Sequence, residues 1–194
     1  MRKFFALIII PLLLAGCVKQ TKIDLAGKSV LFIVAPQDFR DEEFFEPYKI
    51  LTSYGAKAYI ASKERIARSV FGKSLNVNLT LKEVSVDKYD AIIFVGGPGT
   101  KVYFNDTEAL RIAKEAYQKN KIIAAICIAP SILANSGILE GKIVTAFPSE
   151  KSNLEMHGAI YTGKDVEIDG NIITASGPFA AKKFGEAIAQ KLVG

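Results

Sequence analysis

Ala124-Ala125-Ile126-Cys127-Ile128-Ala129-Pro130-Ser131 is the stretch from which the fold follows. Ile122 to Ile126 is too apolar to alternate faces, so it reads as a strand buried on both sides, the habit of a parallel sheet. Pro130, whose φ is already helical, suits the first turn of a helix that Gly137 is placed to end. Cys127 therefore falls at a strand-to-helix junction with no spacer. Such a junction forces its central residue into a strained conformation and points the side chain out of the top of the sheet. The helix N-terminus also turns its unpaired N–H groups and positive dipole end toward the sulfur. From this pattern alone a buried structural cysteine and a reactive one stand level, because free cysteine is commonly a core residue.

The rest of the chain repeats the alternation of apolar strand and helix that makes a largely parallel sheet with helices on both faces. Strands are expected at Val30–Val34, Ala58–Ala61 and Ala91–Val95, with a later one at Ile143–Thr145. Val166–Ile168 and Ile172–Thr174 flank an Asp169-Gly170 turn and read as a hairpin. One helix is expected from about Asp41 to Tyr54, with Pro47 in its first turn, where a missing N–H costs little. A second runs from about Thr107 to Asn120, capped by Asp106 or Thr107, with Leu110, Ala113 and Tyr117 as its inner stripe. The closing helix places Phe184, Ala187, Ile188 and Leu192 on one face. No linker divides the chain.

The N-terminus has the pattern of an export signal: Arg2 and Lys3, the apolar run Phe4 to Leu14, then Leu14-Ala15-Gly16-Cys17. The apolar run is too short for a spanning helix, which needs about 20 residues. The four-residue end resembles the prokaryotic lipobox, which implies cleavage before Cys17, lipid on its sulfur, and an extracytoplasmic, membrane-anchored location. An ordinary signal peptide, or an N-terminal anchor with a chance cysteine, is the competing reading. Without residues 1–16, which hold Arg2, Lys3 and no acid, the net charge falls from +5 to +3. That excess is mild, and nothing suggests nucleic-acid binding. The basic stretch Lys63, Arg65, Arg68 and Lys73 reads as a solvated loop. With Cys17 lipidated, Cys127 has no intrachain partner, unusual for an exported protein.

Three segments bear on Cys127. Val95-Gly96-Gly97-Pro98-Gly99 follows a neighbouring strand, and the N–H groups of Gly97 and Ile128 are candidates for an oxyanion hole. Phe39-Arg40-Asp41-Glu42-Glu43 sets carboxylates at the start of the first helix, and Thr174-Ala175-Ser176-Gly177-Pro178 is a turn before the last. In this order the segments resemble the ThiJ/PfpI superfamily, over about Lys28 to Leu192. The resemblance implies a flavodoxin-like three-layer α/β sandwich with a nucleophile-elbow cysteine, Cys127, and assembly as a homo-oligomer. It also implies an acid from the first helix. Four residues back from Pro47 is Glu43, and Glu42 is the alternative. Domain organisation is then a signal peptide over 1–16, a lipidated N-terminus and tether over 17–27, and a ThiJ/PfpI-like domain over 28–194. No cofactor and no metal is implied.

The chain departs from the family where Ile128 stands in place of the histidine that follows the cysteine in PfpI-like peptidases. A second histidine, found in glyoxalase-type members after the next strand, is replaced in Val144-Thr145-Ala146-Phe147. His157, the one histidine, lies in a segment the resemblance puts away from the elbow. The pair left is Cys127 and Glu43, whose charged forms would repel. Near neutrality Glu43 is expected to keep its proton and hydrogen-bond a thiolate. A thiol lowered by about 3 units gains roughly 1.5 log units of thiolate and loses about 1.2–1.5 in intrinsic nucleophilicity, leaving mainly a sulfur open to oxidation. Two functions follow. One is a cysteine-dependent hydrolase acting on small carbonyl compounds, glycated groups or peptides. The other is a redox-sensing or chaperone-like stress protein switched at Cys127.

Overall fold

The computed structural model describes residues 23–194, so Cys17, the apolar run before it and the expected cleavage site lie outside the described residues. In chain order the elements are β1 (Ser29–Ile33), α1 (Asp41–Ser53), β2 (Lys57–Ser62), β3 (Ile66–Arg68), β4 (Ser74–Asn76), β5 (Leu79–Thr80) and β6 (Ala91–Phe94). They continue with α2 (Thr107–Gln118), β7 (Ile122–Ile126), α3 (Pro130–Asn135), β8 (Ile143–Val144), α4 (Lys151–Met156) and β9 (Ile160–Tyr161), and close with β10 (Val166–Asp169), β11 (Ile172–Ala175) and α5 (Ala181–Val193).

Seven strands form one sheet in the order β10-β11-β7-β6-β1-β2-β5. Every pair is parallel except β10 with β11, the expected hairpin turning at Asp169-Gly170. The chain moves outward from β1 to β2, then returns to build β6, β7 and β11 on the other side. Crossovers to a parallel neighbour are right-handed, so reversing direction sends α1 and α2 to opposite faces. α5 packs on α1, and α3 packs on α2. The result is the flavodoxin-like three-layer sandwich expected, with its topological switch between β1 and β6. Ligands of open α/β sheets bind beyond the carboxyl ends of the strands at such a point.

Apolar side chains on both faces fix the sheet: Leu31, Phe32, Ile92, Ile93 and Ile123 to Ile126 are all buried. Phe44 joins α1 to the sheet, its ring 5.2 Å from Phe32, 5.8 Å from Phe39 and 5.3 Å from Tyr48. Pro47 is not in the first turn of α1 but is its seventh residue. Its missing N–H leaves the Glu43 carbonyl without the partner a helix normally supplies four residues on. The position is tolerated because Pro47 faces α5: a Cβ added at Gly185 would sit 2.8 Å from Pro47 Cα. The inner stripe of α2 is Ala109, Ile112, Ala113 and Ala116, whereas Tyr117 is exposed and Leu110 is only half-buried. Small residues let this helix lie close to the sheet, and the bulky ones flank it. Asp106 is the cap, accepting from the N–H groups of Glu108 (3.1 Å) and Ala109 (2.9 Å).

The basic stretch is exposed as expected, with Arg68 in β3 and Lys63, Arg65 and Lys73 in the loops around the β3–β4 hairpin. Lys63 pairs with Asp106 (2.8 Å), Arg65 with Glu83 (2.7 Å), and Lys73 lies 4.4 Å from the centre of the Phe45 ring. The buried carboxylate of Asp41 holds the hairpin against α1 by accepting from the Ser69 hydroxyl (2.8 Å) and the Phe71 N–H (3.1 Å). Among the described residues no helix is long and apolar enough to cross a membrane.

Candidate active site

Cys127 follows the last residue of β7 with φ +64, left-handed for a residue that is not glycine. Such a conformation costs of order 1 kcal/mol or more and persists only where the surroundings impose it. Two backbone bonds do so. The Cys127 N–H donates to the Ala175 carbonyl at the end of β11 (2.9 Å), and its own carbonyl accepts from the Phe147 N–H (2.8 Å). The junction has a spacer after all. Ile128 and Ala129 form a turn before α3, and α3 is a helix of six residues. What faces the sulfur is therefore not a long helix's dipole but two individual amides, the N–H groups of Gly97 and Ile128.

The other walls come from the carboxyl ends of β1 and β6. Arg40, the N-cap of α1, donates its N–H to the Gly96 carbonyl (3.0 Å), which ties the start of the helix to the glycine turn. That close approach is why the turn needs glycine. At Gly97 φ is +111, and a Cβ would overlap the backbone of Asp38 to Arg40. At Gly96 a Cβ would overlap Glu43 Oε2, Cys127 Cβ (2.6 Å) and the Ile126 carbonyl (2.7 Å). Gly96 is thus wedged between the two side chains, and a residue of any other kind would part them. Glu43, in the first turn of α1, is fully buried beside Cys127. Glu42 is taken up by Arg40, with contacts of 2.8 and 3.2 Å from one guanidinium to both carboxylate oxygens.

The electrostatics agree with the expected Glu43 that holds on to its proton toward neutrality and differ from the expected thiolate beside it. Burial raises Glu43 to a pKa of about 7, outweighing the Cys127 side chain, the Arg40 charge and the Gly96 N–H, which act the other way. Neither carboxyl oxygen has a hydrogen-bond partner of ordinary geometry. Burial pushes the Cys127 thiol up, the Glu43 carboxylate pushes it further, and the N–H groups of Gly97 and Ile128 only partly offset them. Both members are thus driven toward their neutral forms. In a site with little water a thiolate next to a carboxylate is the least favourable arrangement.

Cys127 and Glu43 open onto a cavity of about 370 Å³, also lined by Gly97, Ile128, Phe147, Arg40 and Lys101. The sequence thus identified Cys127, Glu43, Gly97 and Ile128, and the structure brings all four together. His157 does not join them: it ends α4, with Nδ1 2.8 Å from the Asn153 carbonyl. Sequence reasoning missed Arg40 and Lys101. Their one signal was position, since Arg40 lies inside a segment already singled out and Lys101 two residues beyond another. Among the described residues no group of three or more His, Cys, Asp or Glu side chains is placed to hold a metal ion.

A profile of the DJ-1/PfpI family matches residues 28–191. Protein MJ0967 of Methanocaldococcus jannaschii is 39% identical over 192 residues, which cover 94% of each chain. Deglycase PH1704 of Pyrococcus horikoshii is 33% identical over 150 residues, covering 77% of this chain and 90% of its own. Among solved structures, a ThiJ/PfpI domain protein from Brachyspira murdochii superimposes with a TM-score of 0.84 at 34% identity. The match covers 86% of this chain and 98% of that one.

Proposed function

The chain belongs to the DJ-1/PfpI family, and on that premise we propose that it is a cysteine-dependent hydrolase of the deglycase and glyoxalase type, acting on small carbonyl compounds and their adducts. The observation that carries this reading is the gathering of Cys127 at φ +64, the Gly97 and Ile128 N–H groups, and buried Glu43 around one cavity.

Cys127 is the nucleophile. Its thiol is held up, so its proton must leave as the S–C bond forms, and the carboxylate of Glu43 is the acceptor. A base with a pKa of about 7 suits that task near neutrality. The aldehyde oxygen becomes an alkoxide, which the N–H groups of Gly97 and Ile128 stabilise. Glu43 returns the proton it took from Cys127 to that alkoxide and, ionised again, on a 2-oxoaldehyde moves a proton from the former aldehyde carbon to its neighbour by way of an enediol. Oxidation of one carbon balances reduction of the other, and the product is a thioester of a 2-hydroxy acid. Water cleaves that thioester and restores the thiol. Peptide hydrolysis would need a proton donor for the leaving amine, and Ile128 and Phe147 hold the positions where histidine was expected. Proteolysis is therefore weak.

The test is conversion of methylglyoxal to lactate by the wild type and by Cys127→Ala, with unstructured protein as a second substrate. Turnover of the aldehyde that vanishes with Cys127→Ala is expected. Aldehyde turnover unchanged by that substitution, or robust Cys127-dependent proteolysis, overturns the assignment. The second reading, a redox or chaperone-like stress protein switched by oxidation of Cys127, is favoured by the position of His157 outside the cavity. It takes over if aldehydes are not turned over and peroxide oxidises Cys127 selectively.

The proposal includes anchoring in the cell envelope through lipid on Cys17, supported by Leu14-Ala15-Gly16-Cys17 behind the apolar run. Intact-mass measurement of the membrane fraction tests it, and a mature N-terminus other than lipid-modified Cys17 rules it out. Exposed Phe147 beside the cavity and Phe179 next to Pro178 support assembly as a homo-oligomer.

A further inference from the structure

Three charged side chains reach the cavity, and they differ in what opposes them. Glu43 lies buried beside Cys127, and its raised pKa of about 7 leaves it only partly ionised near neutrality. Arg40 is bound through two nitrogens to Glu42 and lies over the Phe71 ring, 5.0 Å from its centre, so its charge is already matched. Lys101 is exposed, and among the described residues no carboxylate stands within ion-pair distance of it, whereas Lys63 on the same side of the molecule has Asp106. The turn that carries Lys101 is firmly seated. Thr100, one residue before, is buried and donates its hydroxyl to the Val95 carbonyl (2.9 Å). Tyr103, two residues after, donates to the Val34 carbonyl (2.8 Å). A Cβ at Gly99 would overlap the carbonyl of Gln37, so the turn also lies directly against the segment after β1. The turn that bears one cation without a partner is thus fixed beside a small cavity whose other walls include Pro98, Ile128, Phe147 and Pro178.

We propose that Lys101 is a specificity-determining residue and that the substrate is a small 2-oxoaldehyde bearing a carboxylate at its far end. The inference rests on the hydrolase reading above and narrows its substrate class. The aldehyde end meets Cys127 and the Gly97 and Ile128 amides, a short apolar stem crosses the walls, and the carboxylate meets Lys101. One unmatched cation fits one negative charge. A phosphate monoester, with nearly two, would call on Arg40 as well, which Glu42 already holds. A volume of about 370 Å³ is near the lower end of small-ligand sites, roughly 300–1,000 Å³, and suits a molecule of this size.

The probes are 4,5-dioxopentanoate and its methyl ester, which share one carbon skeleton and differ in the far charge. At low salt the wild type is expected to favour the acid about two- to fivefold in kcat/KM, mainly through KM, the range of a partly exposed ion pair. The preference shrinks toward one at 1 M salt, where the Debye length falls to about 3 Å. Lys101→Met abolishes it, Lys101→Arg keeps it, and Lys182→Met, an exposed cation on α5, leaves it in place. Cys127-dependent turnover of the ester with no preference for the acid, or a preference that Lys101→Met does not touch, overturns the inference and leaves the hydrolase reading standing. Turnover of neither probe overturns the inference, and the hydrolase reading falls with it only if methylglyoxal is not turned over either.

Discussion

Replacing Glu43 with glutamine should remove most of one particular pH dependence of stability. The carboxyl is fully buried, its oxygens lack partners of ordinary geometry, and its pKa rises from 4.5 to about 7 on folding. Between those values the folded chain binds the proton more tightly than the unfolded chain. The protonated carboxyl's contribution is therefore fully present below pH 4.5 and is lost as pH rises through 7. At ~1.36 kcal/mol per pH unit the interval is worth about 3 kcal/mol. Glutamine keeps the size and cannot ionise, so the variant should not incur this loss. Denaturant unfolding of both proteins at pH 5, 6, 7 and 8 measures the effect, since every other titrating group cancels in the difference. Relative to the wild type, Glu43→Gln should gain about 2.5 kcal/mol between pH 5 and pH 8, most of it below pH 7. Parallel curves would mean that Glu43 is already ionised at pH 5, hydrated or paired in a way that its burial does not suggest.

The same titration should appear in catalysis: kcat/KM for an aldehyde rises through pH 7 as Glu43 gives up its proton and becomes able to accept that of Cys127, and a flat profile from pH 6 to 8.5 removes Glu43 as the base. Gly96→Ala forces a Cβ into contact with Cys127 Cβ and the Ile126 carbonyl, so kcat should fall at least tenfold, with stability down by about 1–3 kcal/mol; wild-type turnover would show that the turn has room to spare. Gly185→Leu should cost a similar amount in thermal unfolding by prising α5 from Pro47 and Ile50, and an unchanged midpoint would mean the two helices slide freely.

What was legible in the sequence followed from strong local pattern. β7 covers the apolar stretch Ile122–Ile126 expected as a strand, and the Cys127 elbow follows from Pro130 coming so soon after it. The Asp169-Gly170 hairpin follows from its turn pair. Pro47 misled because the rule that places proline in a first turn assumes every later N–H is needed, and the contact of Gly185 with Pro47 shows how tertiary packing overrides it. The stripe of α2 misled because side-chain size was read as burial, while alanines allow the closest approach to a sheet. The β3–β4 hairpin, three residues a side, is too short to show an apolar alternation, and its hold on α1 comes from the buried carboxylate of Asp41 and from Lys73 over the Phe45 ring. At the site, Cys127 announced itself by position. The direction of its titration did not, because that depends on how completely Glu43 is sealed from water.

The backbone clasp on Cys127 separates the shape of the elbow from the identity of the residue that occupies it. Ala175 grips the N–H, Phe147 grips the carbonyl, and neither bond involves the sulfur. The amides of Gly97 and Ile128 are likewise main-chain groups that face the same point whatever side chain stands there. A lineage carrying this scaffold can therefore change its reactive group, or lose it, without rebuilding the loop. Chemistry becomes a replaceable part mounted on a frame of main-chain bonds, and one codon at position 127 is enough to exchange it.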